Sequence, residues 1–367
     1  MLRDPRCRDR KGQFRMSGLD RGAARAGSPA MLRFRRPPRC TAGPPSPPFF
    51  ATTVEGRRSP RVVLCSAFVR TRDVGSCMGA FATHRKMRKE EVENAVSNSR
   101  PIASWADWLW SDAHYRPGGL RPATRGRAVT LLRRTVERGV TFIDTADSYG
   151  PGVSETLIAK ALYPYPAGLV VATKGGLLRP GADRWVTDCR PEHLRRACAD
   201  SLQRLRLECI DLYQLHAVDY RIPIEDSIGA LVDLQREGKI RHIGISNVSE
   251  TELARARSVA AIASVQNRYN FRDRSSDRLV DICAEAGLAF IPYPLAAGGL
   301  ARPNSPLARI AQTHGATPSQ TALAWLLQRS PAMLPIPGTS SIAHLEENLA
   351  SASIRLTSEE FRALASL

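Results

Sequence analysis

Three strand-like runs in this 367-residue chain end on groups that can move a proton or hold one in place. Val140-Thr141-Phe142-Ile143-Asp144 is β-branched and aromatic, then turns polar through Thr145-Ala146-Asp147-Ser148-Tyr149-Gly150. That change of character places Asp144 and Tyr149 at a strand mouth. Leu169-Val170-Val171-Ala172-Thr173-Lys174 and Ile210-Asp211-Leu212-Tyr213-Gln214-Leu215-His216 likewise end on Lys174 and His216. A tyrosine that titrates near ~10 is a poor acid or base at neutral pH unless a cation stabilises its phenolate. Lys174 is the candidate cation, Asp144 the group that keeps it charged and oriented, and His216 a hydrogen-bonding partner for a substrate oxygen. Donors aimed at a developing alkoxide, plus a proton from Tyr149, are what hydride addition to a carbonyl requires. Singly, each residue has a plainer explanation: Asp144 as a turn cap, Lys174 as a solvated strand end, His216 as a structural histidine. Their joint occurrence at successive strand ends favours the chemistry.

The elements that must position these residues alternate without interruption from Arg125 onward. Helical patterns cover 127–139, 154–162, 191–206, 224–238, 250–260, 276–286, 318–329 and 342–351. Strand patterns begin at 141, 169 and 210 and cover 240–247, 264–270, 289–294 and 332–337. Such alternation implies parallel strands joined by helical crossovers. Ser249-Glu250-Thr251-Glu252 and Thr357-Ser358-Glu359-Glu360 fit capping boxes, and Thr317-Pro318 fits an N-cap followed by proline. Seven strands are visible, so a closed eight-stranded β/α barrel needs one more before the first helix. An open doubly wound sheet would want G-x-G-x-x-G after its first strand, and Gly150-Pro151-Gly152-Val153-Ser154-Glu155 lacks the last glycine. The expected fold is therefore an α/β, (β/α)8 barrel whose first strand is missing or replaced. The polar runs Arg195-Arg196 and Arg204 read as a solvated helix face, and Tyr213 as core.

Asp144-Thr145-Ala146-Asp147-Ser148-Tyr149, Ala172-Thr173-Lys174 and Asp211-Leu212-Tyr213-Gln214-Leu215-His216 resemble the aldo/keto reductases, NAD(P)H-dependent barrels with an Asp-Tyr-Lys-His tetrad. The resemblance runs from about Arg127 to the C-terminus. It implies Tyr149 as general acid, tuned by Lys174 and Asp144, with His216 positioning the carbonyl. Gly244-Ile245-Ser246-Asn247 is similar to the family's strand whose Ser-Asn end grips the nicotinamide carboxamide, and Gln266 looks like its second amide partner. Tyr293 stands where a nicotinamide-stacking ring is expected. Ile336-Pro337-Gly338-Thr339-Ser340-Ser341, followed by His344, Glu347 and Asn348, resembles the signature that holds the adenosine 2′-phosphate and adenine. Gly338 replaces a lysine and His344 an arginine common in the family, so phosphate binding would rest on backbone N–H groups and hydroxyls. The implied cofactor is NADP(H), and the implied substrate a small aldehyde or ketone. Motifs shared with a branch that includes pyridoxal reductases make pyridoxal the trial candidate. The alternative is an inactive, cofactor-sensing barrel.

The formal net charge is +18 and the pI about 10.2, values that suggest an anionic partner. The distribution argues otherwise, because the first hundred residues hold 22 Lys and Arg against 8 Asp and Glu. Residues 1–124 are Arg- and Pro-rich, keep neither a helix nor a strand period, and are expected to be disordered. Residues 125–367 form the reductase-like domain. The eight cysteines include no C-x-x-C pair or zinc-type spacing, so no metal is expected. No nucleic-acid module, secretory signal or bilayer-spanning run is seen, and a cytoplasmic monomer is expected. In the resembling family a strand and loop like Arg-Ile-Gly-Phe-Gly-Ala-Met-Arg-Ile-Thr-Gly precede the helix at Arg127. Here Trp105-Ala106-Asp107-Trp108 stands instead, yet back-translated and read one nucleotide later it can give Gly-Arg-Ile-Gly. Asp112-Ala113-His114-Tyr115-Arg116-Pro117-Gly118 can give Met-Arg-Ile-Thr-Gly-Pro-Gly in the same way. The expectation is a coding frame that slips and is restored near 125–128; the competing account is a genuine divergent extension.

Overall fold

The computed structural model describes residues 122–181, 184–293 and 302–367. The expectations for the basic segment and for the replaced first strand fall outside these residues, apart from the helix start. That helix, α1, spans Pro122–Glu137 and begins five residues earlier than its apolar pattern suggested, with proline in the first turn, where a missing N–H costs nothing.

Alternation then proceeds as the sequence implies. β1 (Phe142–Asp144), α2 (Val153–Leu162) and β2 (Val170–Gly175) come first, followed by a two-stranded antiparallel hairpin of β3 (Leu177–Gly181) and β4 (Arg184–Thr187). Next are α3 (Pro191–Leu205), β5 (Ile210–Leu215), α4 (Ile224–Arg236), β6 (Ile240–Ser246), α5 (Glu250–Val259), β7 (Ile262–Arg268), α6 (Asp277–Ala286) and β8 (Ala289–Tyr293). Helices α7 (Pro306–Thr313), α8 (Pro318–Arg329), α9 (Ile342–Ala350) and α10 (Ser358–Ala365) complete the order. Both capping boxes read from sequence form, at Ser249/Glu252 and Thr357/Glu360, and Thr317 is closed by Gln320 in a third.

Among the described residues six strands pair in parallel in the order β1-β2-β5-β6-β7-β8. The sheet is curled. In a flat sheet β1 and β7 would lie about 19 Å apart, four strand spacings, yet the Gln266 amide on β7 donates to Asp144 on β1 at 3.1 Å. Phe142 of β1 and Ile291 of β8, at opposite ends of the order, share one apolar cluster with Val170, Ala172, Leu212 and Leu334. This cluster fills the inside of the curl. A larger one, including Leu194, Leu231, Ile245 and Val265, packs the outer face of the strands against the helices.

The run 332–337, expected as a seventh strand, does not form one. Pro335 and Pro337 lack the N–H a ladder needs, and pairing with β8 is confined to Met333. There Phe290 N donates to Ala332 O and Leu334 N to Phe290 O, both at 2.8 Å. The hairpin β3–β4 and helix α7 carried no strong periodic signal, although Ser305 caps α7 through the Ala308 N–H. Among the described residues no helix is long and apolar enough to cross a membrane.

Candidate active site

Strand register brings the chemistry to one mouth. Asp144 pairs with Ala172 at the end of β1, Lys174 with Gln214 where β2 meets β5, and Ser246 with Gln266 where β6 meets β7. Side chains alternate across a strand, so Leu212, Gln214 and His216 share the inward face of β5 and its continuation. Lys174 is wholly buried, and all three of its ammonium donors are used. Nζ lies 2.6 Å from Asp144 Oδ2, 2.8 Å from the Thr145 carbonyl and 3.5 Å from Tyr149 Oη. Burial works to strip the ammonium of its proton, but Asp144 and Tyr149 outweigh it and the Lys174 pKa is raised. Asp144 is equally buried, and its second oxygen accepts from the amides of Gln214 at 3.0 Å and Gln266 at 3.1 Å. Every lone pair needed to hold that carboxylate in place has a donor.

Tyr149 is carried by the turn between β1 and α2, which reverses through left-handed Gly150 and Gly152. Its ring meets that of His216 edge-on, with centroids 5.6 Å apart. The His216 backbone N–H is fixed to the Gly175 carbonyl at 3.0 Å, and its ring Nδ1 lies 3.4 Å from Ser148 Oγ. Burial, then the nearby Lys174 charge, holds the imidazole pKa well below its usual value. His216 is therefore neutral at physiological pH and presents one N–H.

The nicotinamide-side candidates adjoin this set. Ser246 and Gln266 are buried, and Asn247 adopts the left-handed conformation at φ 60°. The Asn247 amide donates to the His216 carbonyl at 2.9 Å and to Ser246 Oγ at 3.1 Å, while Tyr293 Oη donates to Asn247 Oδ1. Gly338, Thr339, Ser340, His344, Glu347 and Asn348 form a separate group around the start of α9. Thr339 Oγ1 donates to Ser341 O and accepts from Ser341 N, both at 3.0 Å, and Ser341 caps α9 without a side-chain bond. Ser340 and His344 are exposed there. Buried amides and hydroxyls at the mouth suit a carboxamide. A hydroxyl-rich helix start suits a phosphate. The residues present thus fit a nicotinamide dinucleotide. Among the described residues no group of three His, Cys, Asp or Glu side chains is placed to hold a metal.

Sequence reasoning missed Gln214, Ser148 and Glu155, and it misread Arg204. Gln214 could have been found, because a polar residue on the inward face between Leu212 and His216 must have a buried partner. Arg204 does not lie on a solvated face. Its Nε bonds the fully buried Glu155 carboxylate at 2.6 Å, crossing from α3 to α2.

A curled parallel β/α sheet thus carries a buried Asp-Lys-Tyr set at its mouth. The model of the aldo/keto reductase family matches residues 114–367. The chain is 45% identical over 244 residues to an uncharacterized oxidoreductase of Schizosaccharomyces pombe, covering 66% of this chain and 79% of that protein. It is 43% identical over 244 residues to pyridoxine 4-dehydrogenase of Escherichia coli, covering 65% and 85%. An aldo/keto reductase from Klebsiella pneumoniae, solved with NADP and acetate, superposes with a TM-score of 0.58 at 29% identity, covering 66% and 86%. The chain belongs to the aldo/keto reductase family, and it is an oxidoreductase.

Proposed function

We propose that this barrel reduces the carbonyl of a small aldehyde or ketone, with Tyr149 as the proton donor. The observation that carries the reading is the placement of Lys174 Nζ between Asp144 Oδ2 and Tyr149 Oη in a fully buried pair. NADP(H) is the cofactor, and when bound it supplies the hydride. Ser246, Asn247 and Gln266 would hold its carboxamide, Tyr293 would lie against the nicotinamide, and Gly338, Thr339, Ser340, His344, Glu347 and Asn348 would surround the adenosine phosphate and adenine. Neutral His216 donates a hydrogen bond to the carbonyl oxygen and orients it. As charge grows on that oxygen, Tyr149 passes it the phenol proton, and the phenolate left behind is stabilised by Lys174. Asp144 keeps Lys174 charged and aimed, with its own position set by Gln214 and Gln266.

The name of the Escherichia coli relative makes pyridoxal the first carbonyl to try. Purified protein mixed with NADPH and pyridoxal is expected to consume NADPH and form pyridoxine in equal amounts. A panel of short aliphatic and aromatic aldehydes extends the assay. Tight NADPH binding with no turnover on any of them would replace this reading with a cofactor-sensing barrel.

A further inference from the structure

Two buried bolts fasten the loop that carries Tyr149. At its start, Thr145 Oγ1 bonds Ser154 Oγ at 2.7 Å, tying the end of β1 to the first turn of α2. The second bolt comes from the neighbouring strand, where Thr173 Oγ1 donates to Glu155 Oε1 at 2.6 Å. Thr173 immediately precedes Lys174, and adjacent strand residues point to opposite faces. Lys174 therefore faces the barrel interior while Thr173 is gripped from outside.

Glu155 has no solvent exposure, and its other oxygen takes the Arg204 Nε at 2.6 Å. Arg204 is itself steadied by Ser201 Oγ at 3.2 Å. The approach is tight, since a Cβ on Gly152 would lie 2.8 Å from Arg204 Cδ. Other titratable groups face this carboxylate from the surrounding elements: Asp147 from the loop, Tyr165 after α2, Cys198 from α3 and Tyr213 from β5. One carboxylate thus joins α2, β2 and α3 directly behind the Lys174–Tyr149 contact, although it touches neither residue.

We propose that Glu155 is a positioning residue, which with Thr173 and Arg204 fixes the reach of Lys174 to Tyr149. The proposal rests on the carbonyl-reductase reading for its kinetic consequence, and its structural part can be measured without turnover. A carboxylate can accept from both neighbours at once. The amide of a glutamine keeps one acceptor oxygen for Arg204 but loses the charge, and its N–H groups only donate, so the Thr173 hydroxyl must reverse from donor to acceptor to stay bonded. A displacement of ~1 Å at a reacting pair can cost about 10²-fold in rate.

The test compares full-length wild type with Glu155→Gln, Thr173→Val and Thr173→Ser. Each is followed by circular dichroism, NADPH affinity, kcat with the best aldehyde, and the titration of Tyr149 read by NMR of ring-labelled tyrosine, assigned with Tyr149→Phe. Glu155→Gln and Thr173→Val are expected to keep their fold and NADPH affinity while kcat falls about 10- to 10²-fold. The Tyr149 phenol should then titrate at a higher pH than in wild type, as the cation moves away. Thr173→Ser, which keeps the hydroxyl, should restore both properties. A folded Thr173→Val, which cannot bond Glu155 in either direction, would overturn the proposal if it kept wild-type kcat and Tyr149 titration, whatever Glu155→Gln does. A wild type that turns over no carbonyl would defeat the proposed function, while the tyrosine titrations would still support or overturn the role of Glu155.

Discussion

Lys174→Met is expected to cost the protein about 3–5 kcal/mol of stability as well as its turnover. Removing one partner of a buried ion pair leaves the other charge in the interior with only neutral donors around it, and that is the costly way to break such a pair. Asp144 is completely buried, so water cannot repair the loss. The double variant Lys174→Met with Asp144→Asn removes both charges at similar volume and should recover most of the stability. It should recover none of the activity, because nothing then stabilises the Tyr149 phenolate. Urea denaturation together with NADPH turnover distinguishes the two effects. A single variant as stable as wild type would show that Asp144 has found another cation or a proton.

Tyr149→Phe isolates the chemical step. The ring, its edge-on contact with His216 and the packing of the turn are all retained, and only Oη is lost. General acid catalysis by a positioned side chain contributes about 10²- to 10⁴-fold, and kcat should fall by that factor. NADPH affinity should change little, since none of the candidate cofactor contacts passes through this hydroxyl. Unchanged kcat would mean that the proton comes from elsewhere, and the assignment of Tyr149 would fail.

Most of the barrel was legible in the sequence because strand and helix periods alternate cleanly after Arg125, and because Asp144, Lys174 and His216 lie at strand ends with Tyr149 on the turn that follows the first. The failures have local causes. Around Met333 the composition is strand-like, but Pro335 and Pro337 leave too few donors for a ladder. In the β3–β4 hairpin, Arg179-Pro180-Gly181 interrupts the alternation that would mark its strands. Arg204 sits in the last turn of α3, where a basic residue ordinarily reads as solvated or as a partner of the helix dipole. What draws it inward is the room left by Gly152 and the charge of Glu155, both about fifty residues away in the chain. No periodicity could show that pairing.

Asp147, in the same turn as Tyr149, carries a consequence for how the chain folds. One of its carboxyl oxygens is shut off from solvent without a hydrogen-bond partner, and burial, followed by repulsion from Glu155, pushes its pKa from 3.8 up to about 8. Between those two pH values the unfolded chain carries this group ionised and the folded chain carries it protonated. Near neutrality this group therefore takes up about one proton as the chain folds, and its contribution to stability declines as pH climbs toward 8. The calorimetric enthalpy of unfolding should accordingly depend on the buffer's own heat of ionisation, differing between phosphate and Tris, and Asp147→Asn should abolish this group's share of that dependence. The turn that presents Tyr149 thus takes up a proton at Asp147 as the chain assembles.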